Sequence, residues 1–357
     1  MTKVQRKFHG ITMNKMNFNN TPIDWDQVHG VIEEASRIML TTHENPDGDG
    51  LGSQCGLYHH LNEINKEVRI INYSPLPVEY ENLNVDRIFE TYNESEHNDW
   101  MESTDLVIIF DVGDFVRIRT IVDAIEKYSL KTMNMDHHPH PDNHPFTYNL
   151  VDLSAAATGC MVYDYLQVAR DKPIVKKSLE GIYTAVMTDT GCFRYSNTNN
   201  KCHEIAIECL NIGVETHTIY QRVYENSTIS RMELMGEFLS NLNYELDGCL
   251  AWFVITQDMM NRANATKADV EGFSDMVRTI SGVEVALMIF EQNQSSCRIN
   301  FRSKGKYSVN DIAKFLGGGG HAFAAGAIVS GSLSDVKQMA VQASISSLNS
   351  KMIGSSE

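Results

Sequence analysis

The 357-residue chain is predicted to be an α/β protein of two domains, an N-terminal doubly wound, mostly parallel sheet and a smaller C-terminal α/β domain. Short apolar runs alternate with helical periodicity in the first half, which is typical of a parallel sheet covered by helices on both faces. A second series of strands and helices begins at Cys249. The length also suggests about two domains, with three as the alternative.

The predicted strands of the first domain are short apolar runs. They cover residues 37–42, 68–73, 105–110 and 131–135, and the predicted helices cover 53–62, 114–128, 154–170, 177–187 and 202–210. Ligands of parallel sheets gather at the carboxyl ends of the strands. The polar clusters that follow these strands are therefore candidate sites.

The second domain is predicted to follow a helical connector at residues 225–243, which contains Met and Leu and ends near Asp247-Gly248. The predicted strands cover 250–256, 285–290 and 297–302, and the predicted helices cover 267–280 and 334–348. A glycine-rich loop at 317–320 precedes the last helix.

The composition bounds the possible functions. An apolar fraction of 42% supports buried cores and excludes a disordered chain. With 30 Lys and Arg against 46 Asp and Glu, the formal charge of −16 argues against a protein that grips long nucleic acid, because such affinity comes from many basic contacts to phosphates. A small phosphate substrate stays compatible, since bound divalent metals would bring positive charge.

The cysteines and the apolar runs indicate the compartment. The 7 cysteines are odd in number and form no Cys-x-x-Cys pair, which favours a reducing compartment over a disulfide framework. Residues 1–20 are polar and lack the apolar segment of a secretory signal. The run 106–110 is too short to span a bilayer. We therefore expect a cytoplasmic protein without membrane contact.

Three candidate metal ligands, His43, Asp47 and Asp49, fall in one glycine-containing segment after the first predicted strand. Imidazole and carboxylate groups are ligands for Mn²⁺, Zn²⁺ or Fe²⁺, and Mg²⁺ fits where oxygen dominates. The same residues also suit an ordinary Asp-Gly turn with a capping aspartate. Both interpretations stay open at this point.

Two further aspartates stand where predicted elements end. Asp111 directly follows the strand 105–110 and precedes Asp114, the expected cap of the next helix. Asp189 lies in an Asp-Thr-Gly sequence that follows a predicted helix, and this sequence is also typical of an ordinary helix C-terminus.

Asp136, His137 and His138 are adjacent and follow the fourth predicted strand. A metal-bound imidazole usually donates its other N–H to a carboxylate or a carbonyl, and a neighbouring aspartate can accept it. The alternative is a histidine-rich surface loop, to which we assign His140 and His144.

A basic, glycine-rich cluster marks the second domain. Its members are Arg302, Ser303, Asn310, Gly317, Gly318, Gly319, Gly320 and His321. Consecutive glycines let main-chain N–H groups approach a phosphate or a base. Residues 295–315 contain five Lys or Arg and one Asp, a local charge of +4 that favours an anion-binding face in this acidic chain.

Taken in order, these motifs resemble those of the DHH phosphoesterase superfamily, specifically its stand-alone members with the DHH-associated C-terminal domain. The motifs are His43 with Asp47-Gly-Asp49, Asp111, Asp136-His137-His138, Asp189 and the Gly-Gly-Gly-His sequence at 318–321. The resemblance covers nearly the whole chain after the polar N-terminal arm, residues 1–20. It is greatest to the nano-RNases and pAp phosphatases, close to the soluble phosphodiesterases of linear and cyclic di-adenylates.

The resemblance implies a domain organisation and a metal centre. The segments would be a polar arm at 1–20, a catalytic DHH domain at 21–225, a helical linker at 226–245 and a substrate-binding domain at 246–350. The centre would hold two divalent ions, with Mn²⁺ usual and Mg²⁺ the alternative. His43, Asp47 and Asp189 would hold one ion, Asp49 and His137 the other, and Asp111 would bridge them.

The resemblance also implies roles for the remaining motif residues. Asp136 would support the centre without binding metal, and His138 would orient the scissile phosphate or stabilise its developing charge. The far end of the nucleotide would be held by Arg302, Ser303, Gly318, Gly319, Gly320 and His321. A homodimer is common among such proteins.

The implied activity is hydrolysis of short oligoribonucleotides such as pApA, and of 3′-phosphoadenosine 5′-phosphate (pAp), by metal-activated water. The partners would be short single strands or adenosine bisphosphate, not long duplexes. One alternative is a cyclic di-AMP phosphodiesterase. Another is a non-catalytic nucleotide- or RNA-binding module, because the C-terminal domain also resembles one appended to alanyl-tRNA synthetases. The presence of all six ligand residues favours an enzyme.

Overall fold

The protein is described here by a computed structural model that covers residues 16–17, 23–141 and 143–354. Most of the arm at 1–20 lies outside these residues. The chain divides into two compact units between Asn226 and Ser227. Each unit is built around one sheet.

The first unit contains a seven-stranded sheet in the order β1-β7-β6-β5-β2-β3-β4. Its strands are β1 (Met16–Asn17), β2 (Arg37–Thr42), β3 (Glu67–Asn72), β4 (Phe89–Thr91), β5 (Leu106–Phe110), β6 (Thr132–Asp136) and β7 (Tyr148–Val151). Every pairing described in this sheet is parallel, which confirms the predicted fold class.

Helices cover both faces of this sheet. They are α1 (Trp25–Glu34), α2 (Gly48–Glu63), α3 (Glu94–Met101), α4 (Ile121–Tyr128), α5 (Thr158–Ala169), α6 (Lys176–Asp189), α7 (Asn200–Asn211) and α8 (Thr216–Tyr224). Ile108 belongs to a buried cluster that includes residues of α1, α2, α5 and α6, whereas Val107 belongs to another that includes residues of α3 and α4. Because β5 is buried on both faces, its sequence is an unbroken apolar run rather than an alternating one.

Close helix packing brings two distant segments of the first unit together. At the crossing of α2 and α6, a Cβ on Gly52 would lie 2.3 Å from the Gly181 carbonyl oxygen. A Cβ on Gly48 would lie 2.5 Å from the Thr188 side chain. The glycines therefore allow the start of α2 to approach the end of α6, where Asp189 lies.

The second unit contains a six-stranded sheet in the order β12-β13-β11-β10-β9-β8. Its strands are β8 (Asn243–Glu245), β9 (Leu250–Ile255), β10 (Val285–Asn293), β11 (Ser296–Ser303), β12 (Gly319–Gly320) and β13 (Ala324–Ser330). Its helices are α9 (Ile229–Leu239), α10 (Gln257–Arg262), α11 (Phe273–Val277), α12 (Asn310–Phe315) and α13 (Leu333–Gly354). Strands β9 and β10 pair in parallel, and the other pairings described in this sheet are antiparallel.

Several predicted boundaries differ from the structure. The predicted helix at 114–128 is a 3₁₀ turn at Phe115–Ile118 followed by α4, with Arg119 between them at φ 55°. The predicted helix at 267–280 is a 3₁₀ turn at Lys267–Val270 followed by α11, with Gly272 between them at φ 78°. The segment 226–245 contributes Leu234 and Phe238 of α9 to a buried cluster of the second unit.

Candidate metal centre and its relatives

The candidate centre lies at the carboxyl ends of three neighbouring strands of the first unit. His43 follows β2, Asp111 follows β5, and Asp136 ends β6 just before His137. In the sheet these strands are adjacent in the order β6-β5-β2. The parallel sheet therefore gathers residues that lie up to 94 positions apart in the sequence.

One group of possible ligands consists of His43, Asp47 and Asp111, whose ligand atoms lie within 4.8 Å of one another. His43 Nε2 lies 3.8 Å from Asp47 Oδ2 and 3.4 Å from Asp111 Oδ2. Asp47 is also the N-cap of α2, where its Oδ1 accepts from the Asp49 and Gly50 amides. The capping interpretation and the ligand interpretation are thus compatible, since they use different oxygens.

A second group consists of Asp49, His137 and Asp189. His137 Nε2 lies 3.6 Å from Asp49 Oδ2 and 3.6 Å from Asp189 Oδ2. Asp49 is held by the Thr158 and Gly159 amides, which donate to its two oxygens at 2.7 and 2.9 Å. Asp189 therefore lies with Asp49 and His137, whereas the resemblance implied a place beside His43 and Asp47.

Asp111 is shared by the two groups. Its Oδ2 faces His43, and its Oδ1 lies 3.7 Å from His137 Nε2. The residue follows a buried strand and has φ 56°, a left-handed conformation that is uncommon outside glycine. This strained backbone turns the side chain at the point where the two groups meet.

The histidine tautomers fit a metal. His43 Nδ1 lies 2.8 Å from the Glu44 carbonyl oxygen, and His137 Nδ1 lies 3.2 Å from that of Ala155. A carbonyl only accepts, so each Nδ1 donates its hydrogen, and Nε2 is the atom through which either ring would bind a cation. His137 Nε2 is buried without a hydrogen-bond partner among the described residues. A cation bound by the imidazole and carboxylate donors would satisfy this atom.

The pKa values reflect the crowding of carboxylates. Burial, reinforced by the charge of Asp111, raises the pKa of Asp47 and raises that of Asp49 much further. Burial also raises the pKa of Asp189 to about 6. For Asp111 burial acts in the same sense, but hydrogen bonds from His138 and His43 outweigh it and hold its pKa well below the usual value. Without a cation, ionising all four carboxylates is therefore costly.

His138 is held beside this centre by two carboxylates. Its Nδ1 lies 2.9 Å from Asp136 Oδ1 and 3.2 Å from Asp111 Oδ1, while 46% of its side chain stays exposed. The hydrogen bonds to Asp111 and Asp136 raise the pKa of His138 to about 11. The ring is therefore an imidazolium near neutral pH.

The candidate residues of the second unit lie around one strand end. Arg302 and Ser303 end β11, and the Ser303 amide donates to the Phe323 carbonyl oxygen in the turn after His321. Arg302 Nε donates to Asp275 Oδ2 at 3.0 Å, so this guanidinium is already paired with a carboxylate. His321 is exposed and Ser303 is buried.

The glycine cluster of the second unit serves strand packing. A Cβ on Gly318 would lie 2.0 Å from the Gly326 carbonyl oxygen, and one on Gly320 would lie 2.6 Å from that of Ala324. Both positions face the neighbouring strand β13. Gly319, by contrast, has open space where a Cβ would stand. Close strand contact thus accounts for two of the four glycines of the cluster.

Comparisons with known proteins agree with these two units. The profile of the DHH family, N-terminal domain, matches residues 37–188, and the profile of the DHHA1 domain matches residues 251–349. The chain belongs to the DHH family. It carries the DHH domain and the DHHA1 domain in the order that the motifs predicted.

Two curated relatives resemble the chain over most of its length. A bifunctional oligoribonuclease and PAP phosphatase NrnA of Thermus thermophilus is 28% identical and covers 87% of this chain and 90% of its own. The protein of the same name from Bacillus subtilis is 29% identical and covers 82% of this chain and 89% of its own. A solved structure of an exopolyphosphatase-related protein from Bacteroides fragilis is 28% identical, with a TM-score of 0.83, over 89% of this chain and 94% of that one.

Sequence reasoning missed residues that hold the DHH motifs in place. The His140 side chain is only 1% exposed and its Nε2 lies 2.7 Å from Asp136 Oδ2, and His144 is buried as well. The assignment of both to a surface loop is therefore wrong. The adjacency of His140 to the Asp-His-His sequence was the available signal. Asn197, whose Nδ2 donates to the Asp189 carbonyl oxygen at 3.1 Å, carried no comparable signal.

One structural observation bears on membrane association. Across the described residues, no helix combines the length and the apolar character that a bilayer crossing needs.

Proposed function

We propose that this chain is a divalent-metal-dependent phosphoesterase that hydrolyses short oligoribonucleotides and pAp. The observation that carries this function is the pair of histidine–carboxylate groups that share Asp111, with the Nε2 atoms of His43 and His137 directed at carboxylates. The two NrnA relatives are named as oligoribonucleases and PAP phosphatases, which supports this substrate class over cyclic di-AMP.

The proposed ligand groups follow the geometry. His43, Asp47 and Asp111 would hold one cation, and Asp49, His137 and Asp189 would hold the other, with Asp111 contributing an oxygen to each. When bound, two such cations polarise phosphate oxygens and lower the pKa of a bound water. This chemistry needs no serine or cysteine nucleophile.

His138 acts on the phosphate through its second ring nitrogen. With Nδ1 held by Asp136 and Asp111, the ring presents its exposed edge as a charged donor. A fixed donor stabilises charge that develops on a phosphate oxygen and needs no reorganisation during the reaction. Asp136 is fully buried and serves to aim this ring.

We further propose a substrate-binding role for the DHHA1 domain, through Arg302, Ser303, Gly318, Gly319, Gly320 and His321. The support is the local charge of +4 within residues 295–315 of a chain with net charge −16. A guanidinium recognises phosphate through paired N–H groups. Asp275 binds the Nε of Arg302, which orients its terminal nitrogens.

Manganese is the metal that we propose, because nitrogen and oxygen donors are mixed in both groups. We also propose single strands rather than long duplexes as substrates, since the negative net charge opposes extended phosphate contacts. A cytoplasmic location and a homodimer stay predictions, which cell fractionation and sedimentation would test.

A turnover panel tests the function. The full chain is assayed with pAp, pApA, a five-nucleotide RNA, cyclic di-AMP and inorganic polyphosphate, each with Mn²⁺, Mg²⁺ or EDTA. We expect hydrolysis of pApA and pAp with Mn²⁺ and none with EDTA. Faster turnover of cyclic di-AMP would overturn the substrate class, and nucleotide binding without turnover would establish a binding module instead.

A further inference from the structure

His140 is a buried titratable residue that the function described so far does not use. It follows β6 by four residues, and its ring packs against Phe146 with centroids 5.8 Å apart. Its side chain is 1% exposed. A buried histidine in a loop needs an explanation, because its two nitrogens must be satisfied away from water.

One of these nitrogens binds the aspartate of the Asp-His-His motif. His140 Nε2 lies 2.7 Å from Asp136 Oδ2, and the Asn134 side-chain amide lies 3.4 Å from the same nitrogen. His140 Nδ1, by contrast, is buried without a hydrogen-bond partner among the described residues. An unsatisfied buried nitrogen is destabilising. The hydrogen bond to Asp136 is therefore the polar contact that accounts for the buried position of this ring.

Asp136 is bound by imidazole on both sides. Its Oδ1 accepts from the His138 amide at 3.0 Å and from His138 Nδ1 at 2.9 Å, and its Oδ2 accepts from His140. The carboxylate is fully buried. Because each histidine engages a different oxygen, His140 and His138 together fix the orientation of the carboxylate.

We propose that His140 is a positioning residue, which fixes Asp136 so that His138 presents its exposed edge to the phosphate. This inference rests on the proposed phosphoesterase function. Without His140, Asp136 Oδ2 would be buried and unpaired, and the carboxylate would be free to turn away from His138. The metal ligands should be unaffected, since the hydrogen bonds and ring contacts that His140 makes among the described residues involve Asn134, Asp136 and Phe146 only.

The test compares His140→Ala, His140→Gln and a matched control, His144→Gln. Glutamine offers a side-chain N–H in place of the ring nitrogen, so it should rescue. His144 is a buried histidine of the same loop and also packs on Phe146. We expect His140→Ala to lower kcat for pApA about 10- to 100-fold, with KM and calorimetric Mn²⁺ affinity unchanged, and the two glutamine variants to stay near the parent chain.

A readout independent of activity is the proton on His138 Nδ1. Because two carboxylates share it, it should give a strongly downfield proton resonance in the metal-free protein. If this resonance is absent from the His138→Gln variant, it is assigned to the proton on His138 Nδ1. We expect this resonance to be lost or shifted in His140→Ala and retained in His140→Gln and His144→Gln.

Two results would overturn the inference. One is an unchanged resonance in His140→Ala, and the other is equal loss of kcat in His140→Ala and His140→Gln with a parallel loss of Mn²⁺ affinity. If the parent chain hydrolyses no substrate of the panel, the proposed function fails, and the resonance still decides whether His140 positions His138.

Discussion

The DHH and DHHA1 domains differ in how the charges of their candidate residues are compensated. In the DHH domain, Asp49 and Asp189 are crowded beside Asp111, and burial raises the pKa of both. In the DHHA1 domain, Arg302 is paired with Asp275 and is about one-third exposed. In the first domain a bound cation would offset the crowded carboxylates, whereas in the second the Arg302 guanidinium already has a carboxylate partner.

This difference teaches which motifs point to a ligand. His137 Nε2 is buried, faces carboxylates and has no hydrogen-bond partner among the described residues, so it does not stabilise the fold by itself. This nitrogen is therefore evidence for a bound cation. The glycines at 318 and 320 do have such a purpose, because β12 and β13 approach too closely for a Cβ. The proposal of a metal centre is therefore supported by the geometry of the side chains, and the proposal of a nucleotide-binding role for the DHHA1 domain is supported by its local positive charge.

The largest effect should come from His137→Ala. Removing a ligand costs several kcal/mol of transition-state stabilisation, so we expect kcat/KM for pApA with Mn²⁺ to fall at least about 1000-fold. His217→Ala, an exposed histidine on α8, should match the parent chain. Circular dichroism checks that both variants are folded. Near-normal turnover of a folded His137→Ala would remove the metal centre from the mechanism.

A smaller effect is expected from Arg302→Ala. Loss of a hydrogen bond to a charged group is worth about 1.5–3 kcal/mol, which corresponds to a rise in KM for pAp of about 10- to 100-fold with kcat retained. Arg298→Ala is the control, because Arg298 lies on the same strand and is paired with Glu271. A loss confined to kcat would instead place Arg302 at the reacting phosphate.

The glycine cluster separates packing from binding. Gly318→Ala should lower the free energy of unfolding by about 1–3 kcal/mol, because the new methyl group meets the backbone of β13. Gly319→Ala has room and should leave stability within about 0.5 kcal/mol. Urea unfolding measures both. Equal stability of the two variants would contradict the packing role of Gly318, and a raised KM in Gly319→Ala would support approach of a nucleotide to that backbone.

The smallest effect concerns the metal-free protein and Asp189. Its folded pKa of about 6 exceeds the ordinary value of 3.8. Between these values the folded state holds a proton that the unfolded state releases, so the free energy of unfolding should fall as pH rises from about 4 to 6. In Asp189→Asn this fall should be shallower, while Asp171→Asn, an exposed control, should keep it. Unfolding in EDTA across this range is the measurement, and parallel curves for all three chains would refute the strained carboxylate.

Sequence patterns predicted those strands and helices whose burial leaves an apolar pattern along their whole length. β5 was predicted because an unbroken apolar run is buried on both faces. The interruptions at Arg119 and Gly272 were missed, since helical periodicity continues through a single residue whose backbone leaves the helix. His140 was misassigned because histidine and proline in a loop are usually exposed, and its burial depends on Asp136 and Phe146.

The sequence by itself determined the kinds of side chain available, their order along the chain and their position after strands, because strand periodicity and local motifs are encoded by neighbours. Only the tertiary structure decided which ligands meet. Asp189 joins Asp49 and His137 because α6 packs against α2 through Gly52 and Gly181. The distance between side chains on separate elements depends on packing across the core, and no local pattern carries that information.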